Sequence, residues 1–236
     1  QSSETSNHGI DKKKRARRDI ELPQETIRDK TRCTLHLVAD YLFYKHVGNG
    51  DLQTTINYLL ALINRVNLIY LPTVWQAGDD KLHTFTNIGF TVQNITIHQE
   101  FTRLAPNGEA HYNMQSNEVW GARDFLDNFS RNSPPRHYCL AHLLTYRKFD
   151  SPVLGLAYVA STRFGKIGGI CSPTQERGNL QYKHNSGIST SKGIHGETLI
   201  TRQADLVLAH ELGHNLGAEH DSNECRPDPS KGGAYL

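Results

Sequence analysis

Methionine, tryptophan and cysteine are all scarce in this chain: one, two and four among 236 residues. The cysteines, Cys33, Cys139, Cys171 and Cys225, are widely spaced and form no Cys-x-x-Cys pair. That spacing argues against a cysteine-built metal centre and leaves disulfides, in an oxidising compartment, as their reading. Net charge is formally only +2, which gives no case for a nucleic-acid partner. No apolar run approaches the ~20 residues that span a membrane. No N-terminal stretch has the form of a signal peptide, so the expectation is that the sequence opens inside a longer precursor. There is no internal repeat and no low-complexity tract. The length suits one domain with a real core, plus a tail.

What is present is concentrated near the end, in His210-Glu211-Leu212-Gly213-His214-Asn215-Leu216-Gly217-Ala218-Glu219-His220-Asp221. On a helix, His210 and His214 stand on one face, one turn apart. Two imidazoles so placed can hold one Zn²⁺. Glu211, beside the first ligand, can reach a metal-bound water. Gly217 lets the chain leave the helix at a positive φ, which would bring His220 back as a third ligand. Three neutral histidines leave the ion its charge and an open position, the arrangement of a catalytic site, whereas a structural site fills all four positions with protein ligands. A bare His-Glu-x-x-His is only suggestive; the extended His-Glu-x-x-His-x-x-Gly-x-x-His fixes five residues and is specific.

Residues 1–32 are polar and aperiodic. Lys12-Lys13-Lys14-Arg15-Ala16-Arg17-Arg18 is either a solvated or nuclear-targeting patch or a proprotein-convertase site cut after Arg18. The second reading makes 1–18 the end of a pro-segment, 19–32 a linker and 33–236 the folded domain. Asn94-Ile-Thr96 and Asn128-Phe-Ser130 are glycosylation sequons, in keeping with secretion. Along the domain, alternation predicts strands at Cys33–Asp40 and Phe85–His98, and a buried central strand at Cys139–Tyr146. Leu154–Val159 reads as a short strand and His184–Ser189 as a further candidate. Helical spacing predicts an amphipathic helix over Thr54–Tyr70, with Ile56, Leu59, Leu60, Ile63, Val66 and Ile69 inward. A second helix is predicted over Asn117–Phe129, with Trp120, Phe125, Leu126 and Phe129 in the core. The motif helix runs over Thr201–Leu216, capped by Thr201 with Gln203 or Asp205 in its first turn. The pattern implies an α/β (mixed α+β) fold, a twisted mixed sheet of about five strands with packed helices. His36, His142 and His184 read as packing or surface residues.

The extended zinc motif with Asp221 after it, together with VADYLFYKHVG, CLAHLLTYRKFD, LGLAYVAS, GGIC and ADLVLAHELGHNLGAEHD, resembles the catalytic domain of the ADAM family of metzincin zinc metalloproteases. The resemblance runs from Cys33 to Tyr235. It implies Zn²⁺ on His210, His214 and His220, and Glu211 as the general base. It implies that Leu154-Gly155-Leu156 forms an edge strand that pairs with extended peptide segments of membrane-anchored proteins, such as cytokine or growth-factor precursors, whose ectodomains are shed. It further implies a zymogen of the secretory pathway or cell surface, inhibited by an upstream pro-segment and activated by a proprotein convertase. A Cys33–Cys139 disulfide also follows from it, while Cys171 and Cys225 would pair with cysteines beyond this sequence; otherwise they are free or paired differently. Asp221 is given no chemistry.

One departure stands out. The family carries a methionine turn beneath its zinc ligands, and the one methionine, Met114, lies far upstream. The expectation is a C-terminal subdomain truncated short of that turn, through either a shortened sequence or a splice form. The alternative function is then an inactive fragment that binds substrate or inhibitor through its edge strand.

Overall fold

The computed structural model describes residues 31–77, 83–103, 110–116, 119–132, 138–161, 167–170 and 172–220, all within one compact unit that begins at Thr31. The convertase site at Arg18, the pro-segment, Asp221, Cys171 and Cys225 lie outside the described residues.

In chain order the elements are β1 (Arg32–Ala39), α1 (Tyr41–His46), α2 (Leu52–Tyr70), β2 (Trp75–Ala77), β3 (His83–Phe85), β4 (Gly89–Ile97), α3 (Ala122–Asn132), β5 (Leu140–Thr145), β6 (Gly155–Ala157), β7 (Gln175–Arg177), β8 (Leu180–Tyr182), β9 (Ser186–Thr190) and α4 (Thr201–Leu216). The main sheet has five strands in the order β4-β1-β5-β9-β6. The first four run parallel and β6 is antiparallel to β9 at one end. β2–β3 and β7–β8 form separate two-stranded ribbons. Five main strands with helices on both faces agree with the expected α/β architecture.

Alternation along the strands sends side chains to opposite faces. Leu35, Leu37, Leu140 and Leu144 pack on one face against Leu59, Leu62, Ile63 and Val66 of α2 and Leu208 and Leu212 of α4. Val38, Ala141, Leu143 and Ile188 pack on the other against Phe125, Leu126 and Phe129 of α3. Two struts fasten α4 to α2. Arg65 Nε bonds both carboxylate oxygens of Asp205 at 2.9 and 2.8 Å, and the Tyr70 hydroxyl donates to the Ala209 carbonyl at 2.7 Å. A disulfide joins Cys33, at the start of β1, to Cys139, just before β5. It closes a separation of 106 residues between neighbouring strands.

Several elements differ from the sequence reading. Asp40 does not extend the first strand: its carboxylate accepts the Phe43 N–H and caps α1. α2 starts two residues early because Asp51 caps it. Its inward face is Thr55, Leu59, Leu62, Ile63, Val66 and Tyr70, while Leu60 and Ile69 are exposed. That rotation follows the 3.6-residue period through position 55 rather than 56. The strand expected from Phe85 begins at Gly89. α3 begins at Ala122, and Trp120 only flanks its core. Thr201 does not cap α4. Ile200 holds the N-cap position, where an aliphatic side chain accepts nothing, and Gln203 Oε1 reaches back to the Ile200 N–H at 3.4 Å.

Candidate metal and peptide site

α4 delivers the site. His210 and His214 project one turn apart, and the helix then stops at Gly217, whose φ is +103°. The Gly217 N–H bonds the His214 carbonyl and the Ala218 N–H bonds the Gly213 carbonyl, each at 2.9 Å. This pair of bonds is the left-handed helix stop that a glycine permits. It turns the chain so that His220 returns over the helix.

The result is a tight cluster of nitrogens. His210 Nε2 lies 3.1 Å and His214 Nε2 3.0 Å from His220 Nε2. His214 Nδ1 donates to the Ala218 carbonyl at 2.7 Å, which leaves the lone pair on its Nε2, facing the cluster. Burial and the two neighbouring imidazoles hold His210 below its ordinary pKa, which favours the neutral ring. Converging lone pairs repel one another unless a proton or a metal cation lies between them. Three nitrogens around one zinc ion at ~2.0–2.1 Å would stand about 3.3 Å apart. The spacing therefore fits a tetrahedral ion with one position left over. Among the described residues this is the one His/Cys/Asp/Glu group able to hold a metal.

Glu211, one position on from His210, lines the same cleft and is buried. Burial pushes its carboxyl up to about 8, and its Oε2 has no hydrogen-bond partner among the described residues. A divalent cation beside it would draw it back towards ionisation. The carboxyl lies against Gly155 of β6: a Cβ built there would meet Glu211 Cγ and Oε1 at 2.6 Å. Glycine at 155 is what lets the carboxyl lie flat on the strand.

β6 ends the main sheet. The Leu154 carbonyl and the Tyr158 N–H both bond β9, at Thr190 and Ser186. Leu156 pairs with Ile188 in the same phase, so the N–H and C=O groups of Gly155 and Ala157 point away from β9. Leu154 itself lies just outside the strand. A cleft of about 560 Å³ is lined by Leu154, Gly155, Leu156, His210, Glu211, His214 and His220 together. All seven residues expected at the site thus share one cavity. Its other wall was not anticipated: Gln203, Leu206 and Val207 sit seven, four and three residues before His210 and so share its helix face, with Pro152 and Val153 opposite. That helical spacing was a usable signal.

The other expected residues lie elsewhere. Asn94 is half-buried on β4, with its Nδ2 3.4 Å from the Tyr138 hydroxyl. Asn128 contradicts its sequon: it is 1% exposed within α3, and the Nδ2 that would carry a glycan donates to the Ala110 carbonyl at 2.9 Å. His36, His142 and His184 are buried in the sheet region and are not part of the metal cluster. Among the described residues, no helix is long and apolar enough to cross a membrane.

Comparison with known proteins follows the same line. Residues 29–236 match the reprolysin-type Metallo-peptidase family M12. The chain is similar to the disintegrin and metalloproteinase domain-containing protein 17 homolog of Caenorhabditis elegans, 35% identical over 93% of this chain and 35% of that protein. It is also similar to disintegrin and metalloproteinase domain-containing protein 10 of Bos taurus, 32% identical over 87% of this chain and 26% of that protein. The chain therefore spans about a third or less of the length of these relatives. An archaemetzincin structure from Methanopyrus kandleri aligns at a TM-score of 0.44 and 14% identity, over 84% of this chain and 80% of that one, too distant to inform the site. With 208 consecutive residues matched and relatives above 30% identity over most of its length, the chain belongs to Metallo-peptidase family M12.

Proposed function

We propose that this domain is a zinc-dependent endopeptidase that cuts extended segments of membrane-anchored proteins and so releases their ectodomains. The observation that carries the endopeptidase reading is the meeting, in one cleft, of three converging imidazole nitrogens, a buried carboxyl and the end strand of the sheet.

His210, His214 and His220 would hold Zn²⁺, which when bound supplies a Lewis acid for the peptide carbonyl and lowers the pKa of water. Glu211 takes one proton from the attacking water as its oxygen bonds to the carbonyl carbon. It returns that proton to the departing amine as the C–N bond breaks. An extended peptide adds to β6 through the N–H and C=O groups of Gly155 and Ala157, while alternate side chains enter the cleft beside Leu206 and Val207. Release of ectodomains, a place in the secretory pathway or at the cell surface, an inhibitory pro-segment, convertase cleavage after Arg18 and a glycan on Asn94 complete the proposal. They rest on the family resemblance and on sequence.

The test is hydrolysis of a quenched fluorescent peptide with an apolar P1′ residue. Cleavage should stop with a chelator, return with zinc and be absent in Glu211→Ala. One zinc bound per chain without any cleavage would sink the endopeptidase reading and leave a domain that only binds peptides.

A further inference from the structure

Asn215 stands beside the ligand-bearing His214, yet neither metal binding nor peptide hydrolysis calls for it. Its side chain is 0% exposed, one position after a residue that lines the cleft. Nδ2 donates to the Tyr158 carbonyl at 2.9 Å and to the Ser186 carbonyl at 3.1 Å. These two residues close the β6–β9 ladder, where the Tyr158 N–H meets the Ser186 carbonyl at 3.2 Å. Asn215 therefore continues the ladder with a side chain from α4. Backbone bonds converge on the same turn: the Ala160 N–H donates to the His214 carbonyl at 3.1 Å and the Ile170 N–H to the Asn215 carbonyl at 2.8 Å.

The chemistry of the position is restrictive. An aliphatic residue of similar size would tolerate burial but donate nothing to the two carbonyls. An aspartate would set oxygen against oxygen. The asparagine's own Oδ1 is buried without a partner among the described residues, so it is the two donated bonds that suit an amide here.

We propose that Asn215 is a positioning residue: it locks the exit of β6 to the turn that carries His214, and so keeps metal and peptide strand in register. This rests on the reading of His210, His214 and His220 as zinc ligands. Outer partners of a metal site commonly change affinity by ~10–100-fold when removed, and a displacement of about 1 Å can cost on the order of 100-fold in rate.

The test compares the whole chain with Asn215→Ala, Asn215→Ser and Arg65→Met. Arg65→Met cuts a bond to the opposite end of the same helix. Zinc affinity is read by competition with a chromophoric chelator, stability by thermal melting, and the Ala160 amide by hydrogen exchange. Asn215→Ala should weaken zinc binding ~10–100-fold and speed Ala160 exchange. Asn215→Ser, which keeps a short donor, should fall between, and it stands in should the alanine variant not fold. Arg65→Met should lower the melting temperature and leave zinc affinity alone. Wild-type zinc affinity in the Asn215 variants, with only the melting temperature lowered, would make Asn215 a core amide and overturn the inference. If the wild-type chain itself holds no zinc, the metal reading fails, and unchanged Ala160 exchange in Asn215→Ala would separately show that the lock is absent.

Discussion

Two buried carboxyls, Asp40 and Glu211, are set apart by what surrounds them. Asp40 is enclosed at the junction of β1 and α1 and is answered on every side. It accepts from the Phe43 N–H at 2.8 Å and from the Thr145 hydroxyl, and pairs with Arg147 Nε at 3.5 Å. Burial raises its pKa, while Thr145, Arg147 and Phe43 act to lower it. Glu211 is raised by burial with nothing to answer it, and its Oε2 is unbonded among the described residues. A satisfied buried carboxylate belongs to the architecture. An unsatisfied one, lining a cleft beside three imidazoles, is a candidate for chemistry.

The contrast makes opposite demands on isosteric amides. Glu211→Gln should lower the turnover of a peptide substrate by ~10²–10⁴-fold, the usual contribution of a general base. It should leave the urea midpoint unchanged or slightly raised, because no partner is orphaned. Asp40→Asn should do the reverse. Arg147, itself buried, loses its counter-charge, and stability should fall by about 3–5 kcal/mol. Turnover per folded molecule should stay as in the wild type. A Glu211→Gln variant that melts early yet cuts peptide would dissolve the distinction, as would an Asp40→Asn variant of native stability.

How much of this was legible in the sequence follows from how local each feature is. The three imidazoles and Glu211 sit within eleven consecutive residues on one helix and its exit, so helix geometry alone relates them. Gly217 was readable for the same reason, since a left-handed helix stop is a local event. Asn215 was not, because its partners lie just past the end of β6 and at the start of β9, 57 and 29 residues away. The face of α2 was set one position off because apolar residues ring more than half of it, and only packing against β1 and α4 chooses Leu62 and Tyr70 over Leu60 and Ile69. α1 escaped notice because six residues give too little periodicity, and its cap, Asp40, followed directly on an apolar strand. The strands of the two ribbons are three residues each, below any reliable alternation. A sequon reads three residues and is blind to the burial of Asn128 in α3.

Gly155→Ala sharpens the same comparison from the strand side. An added Cβ would lie 2.6 Å from the Glu211 carboxylate oxygen, too close for both to stay. Relieving that overlap should cost about 1–3 kcal/mol. Because Glu211 Oε2 has no hydrogen bond among the described residues to hold it, it is the group that moves, and turnover should fall with stability. Cleavage at the wild-type rate by Gly155→Ala, at wild-type stability, would mean that Glu211 is not held in place by this strand.

The smallest effect concerns a buried base in place of a buried acid. His142, on β5, is fully enclosed, with Nε2 2.8 Å from the Ser189 hydroxyl and Nδ1 unbonded among the described residues. Burial alone pushes it down to about 3 from 6.5. The sign follows from that depression. Below pH 6.5 the unfolded chain takes up a proton that the folded chain refuses, so stability falls as pH falls, and goes on falling towards the folded value. From pH 6.5 to 5.5 this one group should cost about 1 kcal/mol. Other groups titrate over the same range, so the readout is the difference between the wild type and His142→Gln, measured by urea unfolding at each pH. The variant will be less stable outright, having lost a buried ring, and only the slope is at issue. Parallel curves for the two proteins would mean that His142 accepts its proton inside the fold. In that case burial without a partner would not, by itself, keep a titrating group neutral in this core, and Glu211 would need its cation for reasons other than desolvation.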